Sequence, residues 1–241
     1  MNKSNAVPKA STAISEERLW KRHMDMAAIG ATPGGGVNRQ ALTQEDFESR
    51  SLLVGWGKEL GFKCSMDAIG NIFVSRSGVD INAISVMSGS HLDTQPNGGR
   101  FDGIFGVLAA FEALQAIDEV GILTKRPIEI VVWTNEEGSR FQPGCMGSLA
   151  FVQPDQLETL LAVKDDDGVE VRSEIPKLKE YLPDLDFHDL DTPLSAFIEA
   201  HIEQGPILEQ KSKTIGVVSG IQGTRRFTVQ VYGEDAHSGT T

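Results

Sequence analysis

At 241 residues the chain can bury a sizeable core in one or two domains. Lys and Arg number 22 against 34 Asp and Glu, a formal net charge of -12, which argues against nucleic acid or an anionic membrane as a partner. No run approaches the roughly 18 apolar residues of a membrane span, and the N-terminal MNKSNAVPKASTAISEER lacks the apolar region of a signal peptide, so residues 1–14 read as a flexible tail. Cys64 and Cys145 are too few for a disulfide framework and are not in zinc-ribbon spacing. Together these features predict free thiols and a cytoplasmic protein.

Ser15, followed by Glu16 and Glu17, is an N-cap and acidic first turn for a helix ending at Gly30. His23 lies within it with no ligand-type neighbour at helical spacing, so it is expected on the helix surface. Thr32 to Asn38, with Pro33 and three glycines, must be a loop. The glycines do not make a phosphate loop, because no Lys-Ser or Lys-Thr follows. Thr43 caps a second helix with Phe47, Leu53, Trp56 and Leu60 toward its buried side and Gly61 at its end. Phe62–Met66 and Asn71–Ser75 read as two strands joined by a turn.

Ile84, Val86 and Met87 supply the next strand, which Ser88-Gly89-Ser90 is expected to break. Just beyond stand His91 and Asp93, then a Gly-rich turn, then Asp102 on the threshold of a helix starting near Gly103. That helix carries Ile104, Val107, Leu108, Phe111, Leu114 and Ile117 on a broad apolar face. The β-branched run Ile128–Thr134 suits a central strand, and it leads into Glu136 and Glu137. Adjacent carboxylates at a strand end point different ways, so one can face a metal while its neighbour faces the substrate water.

Residues 153–194 are acidic and proline-punctuated, an excursion of connecting helices in which His188 is expected to be a loop residue. A third strand, Ala196–Ala200, leads into His201 and Glu203, which alternation would put on one side if the strand runs that far. Three strands therefore end in ligand-capable side chains, and open α/β sheets place their ligand chemistry at that edge. From Thr214 the pattern changes to alternating strands around Ile215–Val218 and Arg226–Val231, then His237.

The blocks Gly89-Ser90-His91-Leu92-Asp93-Thr94, Gly98-Gly99-Arg100-Phe101-Asp102-Gly103, Asn135-Glu136-Glu137-Gly138-Ser139-Arg140-Phe141, His201-Ile202-Glu203-Gln204-Gly205-Pro206 and Ala236-His237-Ser238-Gly239 resemble the M20 metallopeptidase superfamily. Within it they look like the hydantoinase/carbamoylase amidase branch, which includes N-carbamoyl-L-amino acid hydrolases, β-ureidopropionases and allantoate amidohydrolases. The resemblance runs from about Leu19 to the last residue. It implies an α/β catalytic domain, a mixed sheet flanked by helices, over residues 15–212, followed at 213–241 by the start of an α+β lid and dimerisation domain. It also implies two divalent ions per subunit, zinc, manganese, cobalt or nickel. His91 and His201 would hold one ion, Asp102 would bridge, and Glu137 would ligate the second. Glu136 would be the general base, Asp93 would orient the His91 ring, and Gln204 and His237 would face substrate, with His237 stabilising the oxyanion.

The implied activity is hydrolysis of a linear amide or ureido C–N bond, above all in N-carbamoyl-L-amino acids or N-carbamoyl-β-alanine. Allantoate amidohydrolase is the alternative, and full-length members are expected to be homodimers. The family pattern also brings a last metal-binding His, and an Asn and Arg that grip the substrate carboxylate, after the small domain. None is present in these residues, so the sequence reads as a C-terminally truncated member. A non-catalytic remnant holding one metal through His91, Asp102 and His201 is the competing expectation, and a generic ligand-binding α/β protein is a third.

Overall fold

A computed structural model describes residues 6–80, 82–223, 225, 227, 229, 230, 232–237, 239 and 240. They form two compact units, one up to Ile202 and one from Glu203 onward. Among the described residues, no helix is long and apolar enough to cross a membrane.

The chain runs α1 (Ala6–Ala13), α2 (Glu16–Ala28), α3 (Gln44–Glu59), β1 (Lys63–Met66), β2 (Ile72–Arg76), β3 (Ser85–His91), α4 (Ile104–Glu119) and β4 (Ile128–Trp133). Then come α5 (Met146–Val152), a 3-10 turn at Pro154–Gln156, α6 (Leu157–Leu161), α7 (Val171–Tyr181), β5 (Asp186–Phe187) and β6 (Leu194–Ile198). The second unit opens with the short helix α8 (Ile207–Gln210).

Helix starts follow local chemistry. The Ser15 hydroxyl accepts the Arg18 N–H and the Thr43 hydroxyl accepts that of Asp46, each satisfying a donor that the first turn leaves open. The expected tail is ordered from Ala6 as α1, which packs along α4. Pro8 is tolerated there because a first-turn N–H has no helical partner to lose.

The first unit is built on one six-stranded mixed sheet in the order β5-β1-β2-β4-β3-β6, flanked by helices. The outer hairpin β1-β2 is antiparallel, and β2 runs antiparallel to β4. β4, β3 and β6 are mutually parallel, so their C-terminal ends share one edge of the sheet. Strand β3 runs straight through Ser88-Gly89-Ser90 to His91, correcting the expected break. Side-chain size explains it: a Cβ on Gly89 would lie 2.0 Å from the Val131 carbonyl oxygen of β4, so glycine lets the strands close. β6 begins and ends two residues earlier than the sequence predicts.

The core lies between sheet and helices, where Val107, Leu108 and Phe111 of α4 meet Ile72, Val74, Ile130 and Val132 of the strands. A smaller cluster of Phe73, Met87, Val131, Trp133 and Phe151 fills the other face.

His23 is buried, not on the helix surface: its ring lies edge-on to Phe101 and stacks on Phe105. Helical spacing alone could not show that the 101–105 segment covers this face. In the second unit, residues Ile215 to Val218 form no strand, and Ile215, Val217 and Val218 are exposed. Alternation makes a strand only where a partner strand supplies the ladder. Three residues of the other expected strand, 226, 228 and 231, lie outside the described set.

The excursion of residues 153–194 is fastened to the sheet by His188. Its ring stacks on Phe73 at 3.7 Å between centroids, and Nε2 lies 3.7 Å from the Glu129 carboxylate. Burial is the largest influence and works to lower the His188 pKa, but Glu129, the Asp189 carbonyl and the charge of Asp67 together outweigh it, and the net shift is upward. Glu129 is shifted down: burial opposes its charge, and the His188 and Ser85 bonds overcome that. A raised histidine pKa contributes stability that is fully present below about 6.5, the unfolded value, and is lost as pH rises through the folded value. The stability margin of the parent over His188→Gln, measured by urea unfolding, is therefore expected to be larger at pH 6 than at pH 9. An equal margin at both would remove the ion pair from the fold's energetics.

Candidate metal centre

Each parallel strand delivers one part of the site. β3 ends on His91, the loop after β4 carries Glu136 and Glu137, and the chain leaving β6 carries His201. Asp102 sits one residue before Gly103, the N-cap of α4. One ligand atom each from His91, Asp102 and His201 lies within 4.8 Å of the other two.

Both imidazoles point the same nitrogen inward. His91 Nδ1 lies 2.8 Å from the Asp93 carbonyl oxygen, and His201 Nδ1 lies 2.8 Å from that of Ile202. A carbonyl only accepts, so both Nδ1 atoms carry hydrogen, and in the neutral ring each Nε2 presents its lone pair inward. His201 Nε2 stands 3.3 Å from Asp102 Oδ1, and His91 Nε2 stands 3.4 Å from Glu136 Oε2. A neutral imidazole would set a lone pair against a carboxylate oxygen at that range, and a cation between them, a proton or a metal ion, relieves it. Donors about 2.1 Å from one tetrahedral divalent ion stand about 3.4 Å apart. The donor set, its spacing and its tautomers thus fit a divalent cation, and mixed imidazole and carboxylate ligation suits zinc, manganese, cobalt or nickel.

The His91 ring rests directly on Gly103. That residue has φ 70°, and a Cβ there would sit 2.4 Å from the ring. Glycine is needed both for this backbone region and for the close approach.

Asp93 is fully buried and works mainly through the backbone. Its carboxylate accepts the N–H groups of Glu136 at 3.3 Å and Glu137 at 3.2 Å, and one oxygen lies 3.8 Å from His91 Nδ1. The ring itself is held by the Asp93 carbonyl. Burial pushes the Asp93 carboxyl upward against the attraction of His91. For His91, burial lowers the pKa, yet Asp93 and Glu136 outweigh it and the net shift is upward.

The two glutamates diverge. Glu136 faces His91, whereas Glu137 is gripped by Gln95, whose side-chain N–H groups reach its carboxylate at 2.9 Å and its carbonyl at 3.2 Å. Cys145 donates its thiol hydrogen toward Glu136 across 3.5 Å, and burial together with the Glu136 charge pushes that thiol up to about 11. Gln204, Glu203 and His237 belong to the second unit. Glu203 does not continue a strand beside His201. Its carboxylate caps α8 by accepting the Ile207 and Leu208 N–H groups. His237 Nδ1 accepts the N–H of Gly239 at 3.1 Å.

Buried polar residues that sequence reasoning passed over hold the loops. Arg39 donates to the carbonyls of Leu92, Met26 and Ile29, tying α2 to the strand end. Burial lowers its pKa to about 10, with Asp46 and Asp93 favouring the charge, so it stays cationic at neutral pH. Asn71 accepts the Thr134 N–H at 2.8 Å and donates to Asp67 and to the Gly147 carbonyl, which clamps the end of β4. The Asp-x-x-x-Asn spacing at a hairpin was the available signal, but it reads equally as an ordinary turn.

Peptidase family M20/M25/M40 matches residues 87–240, and the chain belongs to that family. It is 42% identical over 236 residues to the N-carbamoyl-L-amino-acid amidohydrolase of Rhizobium meliloti, covering 98% of this chain and 56% of that protein. The crystal structure of a hydantoinase/carbamoylase family amidase from Burkholderia ambifaria matches with a TM-score of 0.81 at 45% identity, over 86% of this chain and 50% of the other. Ureidoglycolate hydrolase of Arabidopsis thaliana is 32% identical over 237 residues, 95% of this chain and 50% of that protein. Within the family the chain falls in the hydantoinase/carbamoylase amidase branch. It spans about half the length of these relatives.

Replacing Gly103 by alanine removes no donor but drives a methyl group into His91. Gly103→Ala is expected to weaken Zn2+ binding by about 10-fold to 100-fold, the range for disturbing a ligand's support, as read by calorimetry on the purified chain. Unchanged affinity would mean that His91 does not hold the ion where it stands.

Proposed function

We propose that this chain carries the metal-binding half of an amidohydrolase that cleaves a linear amide or ureido C–N bond, with N-carbamoyl-L-amino acids as substrates. One observation carries the reading: His91, Asp102 and His201 converge with the imidazole Nε2 atoms inward, and Glu136 stands beside them at 3.4 Å from His91. Sequence relatives of the same branch include N-carbamoyl-L-amino-acid amidohydrolases at about 40% identity, which supports the substrate class.

His91 and His201 would hold one divalent ion, Asp102 would bridge to a second, and Glu137 would ligate the second once released by Gln95. Bound there, the ions supply Lewis acidity that polarises the scissile carbonyl and makes water nucleophilic near neutral pH. Glu136 takes the proton from the attacking water and returns it to the departing nitrogen. Asp93 fixes the Glu136 and Glu137 peptides, so that one carboxylate serves as base and the other as ligand. Gln204 and His237 would bind substrate, with His237 donating to the oxyanion. A second reading, a ureidoglycolate-type or allantoate-type ureido acid as substrate, is favoured by the likeness to ureidoglycolate hydrolase.

Ammonia release from N-carbamoyl-L-amino acids, allantoate and ureidoglycolate, with Zn2+, Mn2+, Co2+ or Ni2+ supplied, separates the two readings. Glu136→Gln is expected to lower kcat by about 10²-fold to 10⁴-fold, the range for general acid–base catalysis, with metal content retained. Loss of metal in Glu136→Gln, and retention in Glu137→Gln, would mean the two roles are reversed.

A further inference from the structure

The β3-β6 ladder pairs Val86 with Ala196, Met87 with Phe197 and Ser88 with Ile198, and there it stops. Carried three steps further, the same register sets His91 against His201. Their rings lie 6.2 Å apart between centroids and 32° from parallel, side by side in agreement with that register. Yet no strand pairing covers those last steps, and β6 is an edge strand with Phe197 and Ile198 exposed. Something other than backbone pairing must hold the chain leaving β6 against β3.

Side chains do it. The Ser88 hydroxyl donates to the Ile198 carbonyl at 2.6 Å, and the Ser90 hydroxyl donates to the Glu199 carboxylate at 2.5 Å. On the far side, Gly106 of α4 leaves room for the Ala200 carbonyl, which a Cβ would meet at 2.4 Å. Ser90 is completely buried and immediately precedes His91, while Glu199 is exposed and stands two residues before His201. The bond therefore joins the two imidazole-bearing segments directly, at the point where the ladder has ended.

We infer that Glu199 is a positioning residue for the metal centre: its hydrogen bond from Ser90 carries the β3-β6 register through to His201 and sets the spacing of the two imidazoles. This rests on the metal-site reading of His91, Asp102 and His201, and adds a residue that touches no metal. A charge-assisted bond from a buried hydroxyl is short and directional, and moving a ligand's outer support weakens metal binding by about 10-fold to 100-fold.

The test measures Zn2+ affinity by calorimetry and the metal-free melting temperature for the parent, Glu199→Ala, Glu199→Gln, Ser90→Ala, the double variant Ser90→Ala with Glu199→Ala, and His201→Ala. Glu199→Gln keeps an oxygen that accepts from Ser90. The expected result is a loss of about tenfold or more in Glu199→Ala, near-parental affinity in Glu199→Gln, and an unchanged metal-free melting temperature in both. Adding Ser90→Ala to Glu199→Ala should cost little more than either alone, because both break the same bond. Parental affinity in Glu199→Ala overturns the inference and leaves the metal site standing. A fall in metal-free stability that accounts for the lost affinity, unrescued by glutamine, also overturns it. If the parent binds no Zn2+ and His201→Ala changes nothing, the metal-site reading fails first and takes this inference with it.

Discussion

The parallel alignment of β4, β3 and β6 is the constraint on which the rest of the first unit depends. Parallel strands end on the same edge of a sheet, so residues far apart in sequence arrive at one place without any contact between them having to form first. The registers are tight. His91 pairs with Trp133, which puts the Asn135-Glu136-Glu137 loop just past the imidazole. The β6 register, extended, brings His201 to the other side. Asp102 enters from a loop, but its position is set by Gly103 lying against the His91 ring. A residue with a Cβ at Gly89 or Gly103 would move the strand or the ring, so two glycines control the spacing of the donors.

Behind the donors lies a layer of buried polar groups that is paired for the most part and carries both signs of charge. The charges of Asp46 and Asp93 favour the Arg39 cation near the end of β3, and Asp46 and Arg50 form a fully buried pair whose guanidinium also reaches the Gly70 carbonyl. Removing one partner of such a pair leaves an uncompensated buried charge, a cost of several kcal/mol. These groups hold backbone, not metal. Their effect is that the site's loops are in place before any ligand arrives, which is the condition for precise coordination.

Much of this could be read from the residues alone, for reasons that are physical. Ser15 and Thr43 cap helices because their hydroxyls satisfy first-turn donors, a purely local event. His91 and His201 stood out because each follows an apolar strand, and Asp102 because it stands between a Gly-rich turn and an apolar helix, while strand ends in a parallel sheet converge. What could not be read needed tertiary contacts. His23 is buried because Phe101 and Phe105 fold over it, and His188 meets Glu129 only once the excursion lies on the sheet. The run through Ser88-Gly89-Ser90 looked like a strand end because small residues favour turns, yet their smallness is what lets β4 approach. Glu203 had the right chemistry for a ligand, and the start of α8 makes it a cap instead.

The family and branch agree with this geometry, and the match covers the metal-site blocks on β3, β4 and β6 together. The account's central claim is that His91, Asp102 and His201 share one cation. An anomalous-scattering map of crystals of this chain grown with Zn2+, recorded at the zinc edge, tests it most directly. The account predicts a peak at about 2.0–2.2 Å from the Nε2 atoms of His91 and His201 and from an Asp102 oxygen. A peak that misses any of the three, or zinc bound only elsewhere on the surface, would contradict it.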